Sequence, residues 1–227
     1  MNDFTRPQKT PITPPVEAHA NGLHIWGRLS SINVRKVVWA AQEVGVPFVR
    51  TDAGAGFGLV NTPAYLQMNP NAMVPVLQDG PLTLWESNTI VRYLCAKYAP
   101  GTLYPEALAD RFDAERWMDW QQTALNPAGR HAFLQLIRTP VEQRKPDVIQ
   151  TSNQETEALL SILDTQLGQH AFVAGPQFTM ADIPVACELH RWLGLPQNRL
   201  PHHHIERWYH TLLQRPASRG VLDLALS

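Results

Sequence analysis

Cysteine is scarce in this chain: of 227 residues only Cys95 and Cys187 carry thiols. They lie far apart, each inside an apolar helical pattern, so neither a disulfide framework nor a CxxC redox or zinc motif can be built from them. Both are expected to be reduced, buried thiols of a cytosolic protein. An excess of charge is missing too. A net charge of −1 leaves no basic footprint of the kind that nucleic acid or an anionic membrane favours. No window approaches the roughly 18 consecutive apolar residues of a membrane span. The N-terminus, with Pro7, Pro11, Pro14 and Pro15, lacks the apolar centre of a signal peptide, and residues 1–21 read as a disordered tail. What is present is ordinary globular composition, 44% apolar and 17% charged, in a length that suits two small domains and a small ligand.

The first half alternates strand and helix signals. Leu23 to Gly27 reads as a strand, and a polar loop, Arg28 to Ser31, leads into a helix with Val34, Val37, Val38 and Ala41 at helical spacing. Gly45-Val46-Pro47 stops that helix, and Phe48 to Thr51 is extended again, which predicts a parallel crossover. Gly54-Ala-Gly56-Phe-Gly58 has the spacing GxGxG rather than GxGxxG, so it reads as a mobile surface loop and not a dinucleotide site. A short helix, Pro63 to Met68, precedes Asn71 to Ser87, where two strands flank the turn Asp79-Gly80-Pro81 and a helix opens at Glu86-Ser87. After Tyr104-Pro105 only helical periods remain. The expected architecture is therefore an α/β unit at 22–100 followed by an all-helical unit at 106–227.

Three places offer chemistry. Ser30, Ser31 and Asn33 sit where the first strand ends beside a helix N-terminus, a setting that favours an anion or thiolate but equally suits a plain cap. The residue before Pro75 is held extended, and a cis Val74-Pro75 bond would turn the Val74 amide and carbonyl outward to pair with an extended peptide. Ser87 is a natural N-cap with Glu86 before it. A helix N-terminus with a hydroxyl suits a carboxylate and Glu86 suits an ammonium, the two charges of an α-amino-acid end. Thr179 to Asp182 resembles a capping box. Of His202-His203-His204, consecutive residues on a helix start diverge, so they read as exposed first-turn residues and no metal is expected.

Taken together, NPNAMVPVLQDGPLTLWESNTIVRYL (Asn69 to Leu94), SSINVRKV (Ser30 to Val37) and FTMADI (Phe178 to Ile183) resemble the cytosolic glutathione transferase family, in its serine-type, bacterial-like form. The likeness runs from Leu23 to near the C-terminus. It implies a thioredoxin-like N-terminal domain followed by an all-helical domain, a cis Val74-Pro75 bond, Val74 pairing with the cysteinyl part of glutathione, and Glu86-Ser87 holding its γ-glutamyl end. It places Ser31 where the thiol-activating hydroxyl stands, with Ser30 as the competing residue and Asn33 where some bacterial members also reach the sulfur. Met73 departs from the pattern, because many members carry a polar residue there that helps bind the glycyl carboxylate. A small electrophile would bind between the Ser31 loop and the helical domain, with Trp117, Trp120, Asn126 and Arg130 as candidate contacts. The resemblance implies glutathione as co-substrate, detoxifying transfer and a homodimer. It leaves disulfide reductase or peroxidase chemistry, and a non-catalytic binding role, as alternatives.

Overall fold

A computed structural model describes residues 22–227; the expected tail, 1–21, lies outside the described residues. Strands β1 (Leu23–Trp26), β2 (Phe48–Thr51), β3 (Val76–Asp79) and β4 (Leu82–Trp85) form one sheet in the order β2-β1-β3-β4. β1 and β2 are parallel, as the strand–helix–strand pattern predicts, with α1 (Ile32–Glu43) between them in sequence; β3 is antiparallel to both β1 and β4. Leu23 and Ile25 alternate toward the core from β1, the period of a strand with one covered face. α2 (Pro63–Met68) begins on Thr62, whose hydroxyl accepts from the Tyr65 amide at 3.3 Å, and α3 (Ser87–Tyr98) follows the hairpin.

The helical half begins with α4 (Leu108–Trp120), which runs through a wide π turn, Gln121–Leu125, into α5 (Asn126–Phe133) and a second π turn, Leu134–Arg138. The first π turn ends two residues before Pro127, which has no N–H to give a regular helix. α6 (Pro146–Gln169), α7 (Asp182–Leu193) and α8 (His203–Leu213) complete the bundle. The α7 start behaves as a capping site: Asp182 accepts from the amides of Val173 (3.0 Å) and Thr179 (2.9 Å) and from Trp208 Nε1 (2.9 Å).

Two expectations change here. α1 is not one-faced: every residue from Val34 to Ala41 is buried, Arg35 and Lys36 included, because α3 packs on one side and α7 on another. The glycine-rich loop contains a short 3-10 turn, Ala55–Phe57, closed by the Gly54 amide donating to the Gly58 carbonyl at 2.8 Å. Among the histidines, His203 is exposed, while His202 is half-buried and bonds through Nε2 to Glu157 at 2.8 Å. No group of three or more metal-ligating side chains occurs among the described residues. No described helix is long and apolar enough to cross a membrane.

Candidate active site

The polar loop after β1 forms one wall of a cleft of about 190 Å³ between the two halves. Ser31 is the N-cap of α1, with extended backbone, and its carbonyl accepts from the amides of Val34 and Arg35 at 3.1 and 3.0 Å. Its hydroxyl makes no capping bond, so this side chain lines the cleft beside Ser30 and Asn33 without being used by the helix. Asn33 Oδ1 accepts from Ser87 Oγ at 3.2 Å, tying the start of α1 to the start of α3.

The Val74-Pro75 bond is cis. The segment before it is pinned by two donors to the Met73 carbonyl, Tyr65 Oη and Asn69 Nδ2, each at 2.9 Å. Val74 itself makes no backbone hydrogen bond to another described residue, which leaves an amide and a carbonyl for an extended ligand. Met73 is 62% exposed and lines the cleft. The expected arrangement at α3 is corrected: Glu86, not Ser87, is the N-cap, at φ 71°, and Ser87 is the first helical residue with its hydroxyl donated to Asn33. Non-glycine residues at positive φ cost energy and concentrate where a ligand is bound. Glu86 is exposed and its side chain does not cap the helix, so the carboxylate is open to an ammonium.

From the helical side, Asn126, Arg130, Phe133, Arg138 and Arg191 reach the cleft. Trp117 and Trp120 do not. They pack edge to face at 5.1 Å, Trp117 only 7% exposed, against the core on α4. Burial pushes the Cys95 and Cys187 thiols up to about 12, which disfavours the thiolate of either, Cys187 among the cleft residues included.

Sequence reasoning missed a buried polar chain behind the cleft. Lys36 Nζ donates to Gln121 Oε1 at 2.8 Å and to Asn88 Oδ1 and Gln122 Oε1 at 3.2 Å. Gln121 Nε2 donates in turn to Glu188 Oε2 at 3.2 Å, and Glu188 pairs with Arg191, which donates to Asn126 Oδ1 at 3.1 Å. The chain joins α1 and α3 to α7 and ends on two cleft residues. Only the polarity of Lys36 within an apolar helix stretch hints at it in the sequence.

A thioredoxin-like sheet with a cis-proline turn, followed by a helical bundle that closes a cleft over a serine at the first helix start, defines a two-domain class of thiol-binding protein. The chain matches the family descriptions "Glutathione S-transferase, N-terminal domain" over residues 21–96 and "Glutathione S-transferase, C-terminal domain" over 123–216. It belongs to the glutathione S-transferase family. It is 38% identical over 205 residues to glutathione S-transferase GstB of Escherichia coli K12, covering 89% of this chain and 99% of that one. A theta class glutathione S-transferase from Xanthomonas axonopodis pv. citri, solved with glutathione bound, superposes with a TM-score of 0.88 at 41% identity, covering 91% of this chain and all of that one. The disulfide-bond oxidoreductase YghU of Escherichia coli K12 is 28% identical over 225 residues, 90% of this chain and 75% of that relative.

Proposed function

We propose that this glutathione transferase binds glutathione along Val74 and the α3 start and uses the Ser31 hydroxyl to hold its sulfur as thiolate for attack on a small electrophile. The observation that carries this reading is the Ser31 hydroxyl itself, placed at a helix N-terminus yet unused as a cap. Val74 offers its free backbone to the cysteinyl unit, Glu86 takes the γ-glutamyl ammonium, and the α3 N-terminus takes the carboxylate. A hydrogen bond to a charged group contributes about 1.5–3 kcal/mol, which lowers a thiol of about 8.5 by one to two units, close to neutrality. Ser31 thus acts as a donor and has no need to be a base. Asn33, whose Oδ1 is engaged by Ser87, has its amide nitrogen left to support the same sulfur. Replacing Ser31→Ala should lower turnover of an activated chloronitrobenzene about tenfold or more; unchanged turnover would remove Ser31 from the mechanism.

A second reading, glutathione-dependent disulfide reduction, is favoured by the likeness to YghU, named a disulfide-bond oxidoreductase. A hydroxyethyl disulfide assay separates it from conjugation. The glutathione-binding unit is taken as 22–100 and the substrate unit as 106–227, in a cytoplasmic homodimer. Exposed Phe57, Trp85, Leu108 and Phe112 support self-association, and light scattering that gave one chain's mass would refute it.

A further inference from the structure

The cleft is rich in cations. Arg28, Arg35, Arg130, Arg138 and Arg191 all line it, and no Asp or Glu side chain does. Three of the five have internal work. Arg35 donates to the Leu29 carbonyl at 2.7 Å and the Ala225 carbonyl at 2.8 Å, Arg191 is paired with Glu188 and bonded to Asn126, and Arg138 donates to the main-chain oxygen of Ser227, the last residue of the sequence, at 3.1 Å while lying over the Phe133 ring at 5.0 Å. Arg28 and Arg130 make no side-chain hydrogen bond or ion pair with any described residue. The guanidiniums are also close enough to oppose one another: burial first, then the like charges of Arg28, Arg191 and Arg130, holds Arg138 below its ordinary range.

The backbone makes room for this arrangement. Gly54, at φ +80°, lies so near Arg28 that a Cβ there would sit 2.7 Å from Arg28 Nη1. A residue with a side chain there would be strained at that φ and would require the guanidinium to shift. Arg130 approaches from the opposite wall, on α5. Its partner Arg138 is eight residues on, where about seven make two regular turns, and the π turn Leu134–Arg138 takes up the extra residue. Like charges on opposing walls of a cleft repel at a cost that a bound anion reverses.

We propose that the second substrate is an anionic electrophile, its carboxylate or comparable oxyanion held by Arg130 and Arg28 with Arg138 alongside, and its reacting carbon turned toward Ser31. This names the substrate class for the transferase reading above and rests on it. Guanidinium binds carboxylate in a planar, bidentate fork, which fixes orientation as well as affinity. An anchored anion leaves the opposite end of a small molecule to meet the sulfur. For a chloromethyl benzoate the glutathione thiolate attacks the methylene carbon, the C–S bond forms as the C–Cl bond breaks, and chloride departs with the bonding pair. The thiol proton has already gone to solvent.

The same carboxylate chemistry exists on glutathione, at its glycyl end, so the test separates the two sources. Wild type and Arg130→Gln are titrated by calorimetry with glutathione, with S-(4-carboxybenzyl)glutathione and with S-(4-carbamoylbenzyl)glutathione, and assayed with 4-(chloromethyl)benzoate and 4-(chloromethyl)benzamide. The expected result is that wild type binds the carboxybenzyl conjugate about tenfold or more tighter than the carbamoyl one and prefers the benzoate in kcat/KM. Arg130→Gln should abolish both preferences and leave glutathione binding unchanged. Equal binding of the two conjugates by wild type overturns the proposal while the transferase reading stands. A tenfold loss of plain glutathione affinity in Arg130→Gln also overturns it, by assigning the guanidinium to the glycyl carboxylate. If no glutathione compound binds, both readings fall together. Arg130 is exposed, so its replacement leaves the core intact.

Discussion

On the thioredoxin-like side of the cleft, a strand end and a helix start place short, uncharged groups, Ser30, Ser31 and Asn33. On the helical side they are long cations, Arg130, Arg138 and Arg191, delivered from α5, the π turn that follows it and α7. The first wall is tied together locally, by two donors on the Met73 carbonyl and by Ser87 bonded to Asn33. The second depends on how the helices pack. Activation of a thiol needs a donor held to a fraction of an ångström, whereas recognition of a charged substrate tolerates longer side chains. The first wall contributes two cations, Arg28 and Arg35, the second of them bonded to backbone carbonyls.

The helical wall breaks most readily at Asp182, which is fully buried and accepts from three donors. Asp182→Ala leaves Val173 N, Thr179 N and Trp208 Nε1 without an acceptor, and should cost about 3 kcal/mol or more in a denaturant titration. A comparable effect, seen through pH, is expected at the seam between the walls. Burial pushes the Lys36 ammonium from 10.5 down to about 8, with Glu188 and Cys187 opposing and Arg191 adding to the fall. Between about pH 8 and 10.5 the unfolded chain binds the proton that the native state has released, so stability rises with pH there. Below that window both states are protonated and the burial penalty is present in full. Lys36→Met should lose this rise, so that wild type gains about 3 kcal/mol on the variant from pH 8 to 10.5. Parallel stability profiles would show that Lys36 keeps its ordinary affinity for protons. The smallest effect belongs to Trp120→Phe. A ring packed on Trp117, away from the cleft lining, should leave kcat/KM within about twofold.

The contrast also explains what could be read from residues alone. The sheet, α1, α2 and the hairpin follow from local period and punctuation, and all stand where those signals put them. Ser31, Asn33 and Val74 could be singled out because each belongs to a short continuous stretch, and the first two line the cleft. Ser87 was placed one position off in role: Glu86 adopts positive φ and takes the cap, a choice that tertiary packing imposes against ordinary preference. Trp117 and Trp120 were offered as substrate contacts on chemistry alone, but α4 turns them inward. Arg28 and Arg138 went unnoticed. Whether a guanidinium faces a cleft or solvent depends on turn counts through two π segments, and on a glycine 26 positions away from Arg28, which no periodicity encodes. The Lys36 chain was hidden for the same reason, since its partners lie 52, 85 and 86 positions along.

The central claim is that the Ser31 hydroxyl stabilises a bound thiolate. Ultraviolet titration of glutathione bound to the enzyme measures that directly. In wild type the bound thiol should ionise one to two units below its free value of about 8.5, and in Ser31→Ala it should return most of the way while calorimetry still shows glutathione bound. A bound thiol that ionises at the same pH in both proteins would contradict the account.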